Sequence, residues 1–365
     1  MSYRCASEAV SALSKDEMDP QQLELLGFCN DLAAVSCGVE ERASLRALDK
    51  GELHLHLNGA VPIATIRDIM ADEATKIPPD FVFERDFVRR TACRSLAEYL
   101  TPWQVLRLFP RKPENLDRLI DAVFATLDEH RVRFVELRSS ILYLATLQNC
   151  SPAQALERLI VSTGSAAERY RIRRGLILTV TRGDYSVVNL ATLLQAYKDL
   201  GKPEAVVGID LAGDEEIPYP TELPAFFQDA KIRYGLGITI HAGETGRVEN
   251  VLDAVNLFNA DRIGHGTAAG KDPRILEFLA KRDICVEVCP ISNRLTAAVP
   301  PNEAHPLREF SRAGVPFIIC TDNPAIHQRG LVDDFFVALG EGISTEKLRQ
   351  QYALAQRYSF IKDLE

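Results

Sequence analysis

The chain has 365 residues, of which 46% are hydrophobic and 25% are charged, and this composition is that of an ordinary globular protein. Its formal net charge of -9 argues against a nucleic acid or an anionic membrane as a partner, because both carry negative charge. No apolar run approaches the roughly 18 residues of a membrane-spanning helix, and the first residues lack the basic and apolar regions of a signal peptide.

Eight cysteines are distributed along the chain without a CxxC pair. Cys285 and Cys289 are four positions apart, which matches neither a redox motif nor a zinc ribbon. We therefore predict reduced thiols in a cytoplasmic protein.

Residues 1–47 show an acidic, helical pattern with recurring leucines, and we predict a helical N-terminal extension packed on the main domain. An oligomerisation arm is the alternative, which would make the protein a homo-oligomer. A short apolar run at 52–57 follows and is typical of a buried strand. His54 and His56 are two positions apart in this run, so they point to the same face of the strand.

The next segment, residues 58–128, shows mostly helical patterning, at 63–70, 95–109 and 116–127. It separates two predicted strands by an unusual length of chain. We therefore predict a helical insertion that lies over one face of the domain as a lid.

Apolar, β-branched runs alternate with helical patterns in the rest of the chain. They lie at 132–138, 175–180, 205–211, 236–241, 261–265, 284–288 and 315–321. The clearest helix follows Ser151, where Pro152 occupies the first position and Gln154 completes a capping box. With the strand at 52–57, eight buried strands alternate with helices, which predicts an α/β fold with a (β/α)8 TIM barrel over residues 48–365.

An open, doubly wound sheet is the alternative to the barrel. Its dinucleotide-binding signature is missing, because the glycine spacing at 235–237 does not continue as GxGxxG. The segment 264–271 resembles a phosphate-binding loop, but its spacing is wrong and Asp272 stands where serine or threonine is required. Both absences favour the barrel.

Polar side chains collect at the predicted carboxyl ends of the strands, where the active sites of such barrels lie. These positions hold His54, His56, Asp210, His241, Glu244, His265 and Asp322. A single histidine there is more often a hydrogen-bonded core residue. Four histidines on one rim, together with carboxylates, indicate a metal site.

Three of the histidines, His54, His56 and His241, supply nitrogen ligands and Asp322 supplies an oxygen, which leaves a position for water. This set suits one Zn²⁺ per chain, and zinc lowers the pKa of a bound water towards neutrality. Glu244 lies three positions beyond a ligand and is placed to act as a general acid, with a solvated loop carboxylate as the alternative. The remaining histidine of the rim, on the next strand end, is placed to hold the water and to help remove its proton.

A series of motifs resembles the adenosine deaminases of the amidohydrolase superfamily over roughly residues 48–340. The motifs are His-Leu-His at 54–56, Gly-Ile-Asp-Leu-Ala-Gly at 208–213, His-Ala-Gly-Glu at 241–244, Ile-Gly-His-Gly at 263–266, Cys-Pro-Ile-Ser-Asn at 289–293 and Thr-Asp-Asn-Pro at 321–324. The resemblance implies a zinc-dependent hydrolase of purine metabolism. The HxE and PCxxC signature of the other zinc deaminases is absent.

The resemblance also implies roles for individual residues. Hydroxide on zinc would attack C6 of a 6-aminopurine, and ammonia would leave. Glu244 would protonate N1, while His265 and Asp322 would orient the hydroxide. The backbone amide of Gly213 would contact N3 of the base.

By the same resemblance, the 58–128 insertion would supply gate helices and an apolar wall over the base. Trp103 and Phe109 are candidates for this wall, and core positions would explain them equally well.

Position 58 departs from the commonest pattern of the family, in which an aspartate binds the ribose 5'-hydroxyl. Asn58 can donate as well as accept a hydrogen bond and carries no negative charge, which makes a 5'-phosphate more tolerable. In this it resembles the branch that acts on N6-modified AMP. The chain shows no obvious basic cluster for a phosphate, so adenosine is the first choice and N6-modified AMP the alternative. Free adenine is a weaker alternative, because relatives that take it usually carry an acidic residue near this position.

Position 323 is the second departure, because the family usually has an aspartate there that contacts N7 of the purine. The NH2 of Asn323 can donate to N7, so we expect an altered base preference with retained activity. A catalytically inactive relative that serves as a binding or assembly module is the alternative from another class. The retention of every metal ligand and of Glu244 argues against it.

Overall fold

The computed structural model describes residues 39–364, and at its centre eight parallel strands form a barrel. Each strand pairs with the next one along the chain. The strands are Lys50–His56 (β1), Val132–Ser139 (β2), Arg173–Thr181 (β3), Val206–Ala212 (β4), Gly237–Ala242 (β5), Arg262–His265 (β6), Cys285–Val288 (β7) and Phe317–Ile319 (β8). The predicted (β/α)8 TIM barrel is confirmed, and every predicted strand overlaps one of these.

The barrel closes where the chain beyond β8 meets β1. The N–H of Asp322 donates to the carbonyl of His54 at 2.9 Å, and the N–H of His56 donates to the carbonyl of Asp322 at 3.1 Å. These two hydrogen bonds place Asp322 directly beside both histidines of β1, which lie far away in the sequence.

Helices fill the intervals between the strands. In chain order they are Val39–Ala47 (α1), Ile63–Asp72 (α2), Phe83–Asp86 (α3), Leu96–Tyr99 (α4), Trp103–Leu106 (α5), Pro113–Glu129 (α6), Ile141–Leu147 (α7), Pro152–Tyr170 (α8), Ser186–Asp199 (α9), Leu223–Tyr234 (α10), Val248–Asn256 (α11), Pro273–Lys281 (α12), Pro290–Leu295 (α13), Leu307–Ala313 (α14), Pro324–His327 (α15), Leu331–Gly340 (α16), Thr345–Arg349 (α17) and Gln351–Tyr358 (α18). None of these described helices has the length and apolar character needed to cross a membrane.

Helix α8 begins as its sequence predicts. The hydroxyl of Ser151 accepts from the N–H of Gln154 at 3.2 Å, and the side chain of Gln154 accepts from the N–H of Ser151 at 3.0 Å. This capping box satisfies two backbone donors that a helix start leaves open. Leu156 and Leu159 are fully buried, so the helix packs its apolar face against the barrel.

The insertion at 58–128 holds five of the helices, α2 to α6. The helical pattern at 95–109 forms two short helices, α4 and α5, instead of one. Pro102 stands between them, and a proline disfavours helical geometry in the residue before it and has no N–H to continue a helix.

The predicted N-terminal extension lies mostly in residues 1–38, outside the described residues. Its last part is helix α1, which contacts α16 and α17 and buries Leu45 completely. Among the described cysteines, four are buried and free: Cys93, Cys285, Cys289 and Cys320.

Candidate active site

Four potential metal ligands meet at the carboxyl end of the barrel. Nε2 of His56 lies 3.2 Å from Nε2 of His241. Oδ1 of Asp322 lies 3.3 Å from Nε2 of His56 and 3.6 Å from Nε2 of His54. The four ligand atoms lie within 4.8 Å of one another, and this spacing suits a tetrahedral ion with ligands at about 2 Å.

The environment of these atoms also fits a metal ion. Nε2 of His54 is buried and has no hydrogen-bond partner within the described residues. Burial lowers the pKa of His56 to about 3, so its ring is neutral and can serve as a ligand. A buried polar nitrogen without a partner is costly, and a cation among these lone pairs would remove that cost.

The far side of three of the four candidate ligands is held by another side chain. Nδ1 of His54 lies 2.8 Å from Oε2 of Glu287, and Nδ1 of His241 lies 2.9 Å from Oδ1 of Asp210. Because a carboxylate accepts hydrogen bonds, each ring carries its hydrogen on Nδ1 and directs the lone pair of Nε2 into the ligand group. Ser292 donates its hydroxyl hydrogen to Oδ2 of Asp322 at 2.7 Å.

Two buried arginines inside the barrel balance these carboxylates. Nη1 of Arg138 lies 3.1 Å from Asp210, and its Nη2 pairs with Glu287. Nε of Arg262 lies 2.6 Å from Glu287. Burial alone would raise the pKa of Glu287, but Arg138 and Arg262 outweigh it and hold that pKa below its usual value. The carboxylate that orients His54 therefore stays ionised.

Two residues of the site have a backbone conformation that side chains rarely adopt. The φ angle is +65° at His265 and +71° at Asp322, in the left-handed region. Such strain persists only where the surrounding structure enforces it, and it is common at functional sites. His265 is the last residue of β6, and Asp322 lies three positions beyond the end of β8.

Glu244 is buried beside the ligands, and its Oε2 lies 3.7 Å from Nε2 of His265. Burial raises the pKa of Glu244 well above its usual value, and the nearby carboxylates of Asp322 and Glu215 raise it further. The group is therefore suited to carry a proton at neutral pH. A solvated loop carboxylate, the alternative from the sequence, does not describe this environment.

The loop that carries Glu244 is held by the carboxylate of Glu215. This carboxylate accepts from the N–H of Gly243 at 2.5 Å, from the N–H of Thr245 at 2.7 Å and from the side chain of Asn250 at 2.8 Å. The two backbone donors flank Glu244 on both sides, so Glu215 sets the position of the residue between them.

A cavity of about 340 Å³ opens above the ligand group. The predicted site residues that line it are His56, Asn58, Gly213, His241, Glu244, His265, Asp322 and Asn323. His54 is fully buried beneath its floor. The structure thus brings every predicted ligand, catalytic and substrate-binding residue to one place.

The insertion forms one wall of this cavity. Trp103 and Phe109 both line it, and the indole of Trp103 stands perpendicular to the ring of His56 with centroids 6.2 Å apart. The side-chain amide of Asn58 donates to the carbonyl of Leu106 at 2.9 Å, which ties the end of α5 to the end of β1. Asn58 thus contacts the lid as well as lining the cavity.

Asn323 has neighbours that the sequence did not predict. Its NH2 donates to the hydroxyl of Tyr99 at 3.3 Å, and this hydroxyl shares a 2.6 Å hydrogen bond with Nε2 of His327. Oδ1 of Asn323 is buried and has no partner among the described residues.

Sequence reasoning did not assign roles to Glu287, Ser292, Glu215 and Tyr99. Ser292 lies inside the Cys-Pro-Ile-Ser-Asn motif, and Glu215 follows the Gly-Ile-Asp-Leu-Ala-Gly motif by two positions, so both lay close to a usable signal. Glu287 offered none, because a glutamate in a strand does not reveal which face it occupies.

A family model described as adenosine deaminase matches residues 49–365. An adenosine deaminase of Clostridium botulinum is 32% identical to the chain over 287 residues, which cover 78% of this chain and 85% of that protein.

Two solved structures have the same fold. An amidohydrolase from Burkholderia ambifaria, solved with bound Zn, has a TM-score of 0.79 at 23% identity and covers 90% of both chains. An Arabidopsis N6-mAMP deaminase has a TM-score of 0.73 at 23% identity and covers 88% of this chain and 96% of its own.

Proposed function

The chain belongs to the adenosine deaminase family, and on this premise we propose that it converts adenosine and water into inosine and ammonia with one Zn²⁺ per chain. The observation that carries the proposal is the position of Glu244. A buried carboxyl group with a raised pKa faces the same cavity as three of the four metal ligands. A proton donor and an activated water are the two elements that hydrolysis of an aromatic amine needs.

The metal would be held by Nε2 of His54, His56 and His241 and by Oδ1 of Asp322. When bound, Zn²⁺ supplies hydroxide at neutral pH by lowering the pKa of a coordinated water. Zinc is proposed over a harder ion because three of the four ligands are imidazoles, and magnesium and calcium prefer oxygen.

The side chains around this group would then act on the purine. Glu244 would give its proton to N1, which makes C6 more susceptible to attack. His265 and Asp322 would orient the attacking water, and the amide of Gly213 would contact N3. The attacking water has two protons to give: one leaves with the C6 amine as ammonia, and the other restores the carboxyl group of Glu244.

The apolar wall supports a flat aromatic substrate. Trp103, Phe109 and Leu106 line the cavity together with the candidate ligands His56, His241 and Asp322. Closing this wall over the base would exclude bulk water and strengthen the hydrogen bonds to it.

A nucleotide such as N6-modified AMP is the second candidate substrate, and one observation favours it. Arg107, in the insertion, lines the cavity together with Ser139 and Ser140. A cation and two hydroxyls in the lining of a cavity are groups that can bind a phosphate. The carboxylate of Asp214 also lines the cavity, and its negative charge would repel a phosphate. Adenosine therefore remains the first proposal.

The test is the loss of adenine-ring absorbance when zinc-loaded protein is incubated with adenosine, AMP, N6-methyl-AMP and adenine in parallel. Adenosine is expected to have the highest kcat/KM. A preference for either nucleotide would replace adenosine by the nucleotide and would predict that Arg107→Ala abolishes that preference. No turnover of any of the four at full zinc occupancy would contradict the proposal.

A further inference from the structure

Three fully buried side chains form a chain of hydrogen bonds behind the active site. The first hydrogen bond comes from the backbone: the N–H of Leu307 lies 3.3 Å from Nδ1 of His305. Nε2 of His305 lies 3.2 Å from Oδ1 of Asn293, and Nδ2 of Asn293 lies 3.0 Å from Nδ1 of His265. The series runs from the start of α14 to the end of β6.

The direction of every hydrogen bond follows from its first member. A backbone N–H can only donate, so Nδ1 of His305 must accept and carries no hydrogen. Burial lowers the pKa of His305 to about 3, so its ring is neutral at neutral pH. A neutral ring has one hydrogen, which must therefore be on Nε2.

The next two members are determined in turn. Because Nε2 of His305 donates, the group of Asn293 that faces it is the carbonyl oxygen. The NH2 of Asn293 therefore faces His265 and donates to Nδ1. The remaining hydrogen of His265 is then on Nε2, the nitrogen that lies 3.7 Å from Glu244 and borders the cavity.

We propose that His305 and Asn293 are positioning residues that fix the tautomer of His265 with its hydrogen on Nε2. His265 then acts on the attacking water as a hydrogen-bond donor through Nε2. It does not take a proton from the water, because the nitrogen that faces the water already carries one. This differs from the sequence-based expectation that His265 helps to remove that proton.

The kinetic consequence of this tautomer rests on the proposed function, but the nitrogen of the uncharged His265 ring that carries the hydrogen can be observed without any substrate. The position of the hydrogen is measured by NMR of protein labelled with 15N-histidine, because the protonated and unprotonated nitrogens of a neutral imidazole have well-separated 15N resonances. The zinc-loaded protein is used, and the resonances of His265 are identified by their loss in His265→Asn.

Asn293→Asp is the decisive variant. A carboxylate has the size of the amide but only accepts, so the hydrogen of His265 is expected to appear on Nδ1. The matched control is Asn302→Asp, the same substitution at an exposed position in the loop before His305. The control is expected to keep the hydrogen on Nε2.

A second pair of variants tests the role of His305. Glutamine can accept from Leu307 and donate to Asn293, so His305→Gln is expected to keep the wild-type tautomer. Leucine can do neither, so His305→Leu frees the amide of Asn293 to turn and both tautomers of His265 are expected. If Asn293→Asp does not fold, this pair of variants still tests whether the hydrogen-bond chain fixes the tautomer of His265.

The kinetic readout separates positioning from general damage to the fold. In Asn293→Asp, kcat is expected to fall roughly 10- to 100-fold with an unchanged KM and unchanged zinc content, as is typical when a residue that orients a site residue is lost. His305→Gln is expected to keep most of the activity that His305→Leu loses. A hydrogen on Nδ1 in the wild type, or an unaltered tautomer in Asn293→Asp, would overturn the inference. Wild-type protein without activity on any purine would refute the proposed function and leave the tautomer result standing.

Discussion

The side-chain amide of Asn58 and the backbone carbonyl of Leu106 are joined by a 2.9 Å hydrogen bond. This bond links the strand that carries two of the proposed metal ligands to the last residue of α5, the helix that begins with Trp103. An aspartate at position 58 would not make it, because a carboxylate and a carbonyl are both acceptors. The asparagine therefore has a structural use in this chain that is independent of the 5' end of a substrate.

We expect Asn58→Asp to loosen the lid. Two facing acceptors in a half-buried position cost about 1–3 kcal/mol, which is enough to open a short helix. Amide hydrogen exchange over residues 96–106 should become faster, and the KM for adenosine should rise severalfold. Gln104→Glu is the matched control, since it adds the same charge on an exposed face of α5 and should leave both quantities unchanged. Unchanged exchange in Asn58→Asp would mean that the bond to Leu106 does not hold the lid.

Asn323→Asp should change base selectivity. The substitution removes the NH2 that donates to Tyr99 and that we expect to meet N7 of a purine. The ratio of kcat/KM for adenosine to that for 7-deazaadenosine, which lacks N7, should change by about tenfold, the equivalent of one hydrogen bond. Tyr99→Phe serves as the comparison, because it removes the competing acceptor and leaves the amide in place. An unaltered ratio in Asn323→Asp would show that this side chain does not read N7.

Glu215→Gln should impair the proton donor in two ways. The amide cannot accept from all the donors that hold the loop, so kcat should fall about tenfold with little change in KM. The loss of a nearby negative charge should also lower the pKa of Glu244, which Glu215 helps to raise. Because Glu244 must be protonated to act in the proposed reaction, activity should be lost as the pH rises through its pKa, and the alkaline limb of kcat should move to lower pH.

Glu216→Gln is the control for this pH profile. It removes the same charge from the next position, where the side chain is exposed and paired with Arg247. The alkaline limb should stay in place. If Glu215→Gln moved the limb to higher pH, Glu244 would not be the group that controls it.

His327 should make stability depend on pH. Burial lowers its pKa to about 3, whereas its pKa in the unfolded chain is near 6.5. The unfolded state therefore binds more protons in this range, so stability is fully present above pH 6.5 and is lost as the pH falls towards 3. In His327→Gln, urea unfolding between pH 6 and 4 should show a slope smaller by nearly one proton. An equal slope in both proteins would mean that His327 is already protonated in the fold.

The fold could be predicted because a buried parallel strand leaves a clear pattern, a short apolar run between helical stretches. The positions at which the strands begin and end were less predictable. The run at 315–321 suggested a longer strand than the observed Phe317–Ile319. The regular strand stops at Ile319, yet Asp322 still pairs with β1 in a left-handed conformation, a constraint that apolar patterning does not encode.

The candidate site could be located from the sequence because strand ends of a barrel share one rim. What could not be located were the side chains that orient the site residues from neighbouring strands. His54 on β1 and Glu287 on β7 contact each other only because the barrel closes, and nothing in the local sequence of either residue indicates the other. Asn293 was visible within a motif, but its contact with His305 depends on how the loop before α14 folds back, and its contact with His265 joins α13 to the end of β6.

The most direct test is ammonia release from adenosine by metal-stripped protein to which Zn²⁺ is added in fractions of an equivalent. The account predicts no activity in the stripped protein and a linear rise that ends at one Zn²⁺ per chain, with inosine and ammonia formed in equal amounts. Full activity without metal, or a fully loaded protein that releases no ammonia from adenosine or from the other adenine compounds, would contradict it.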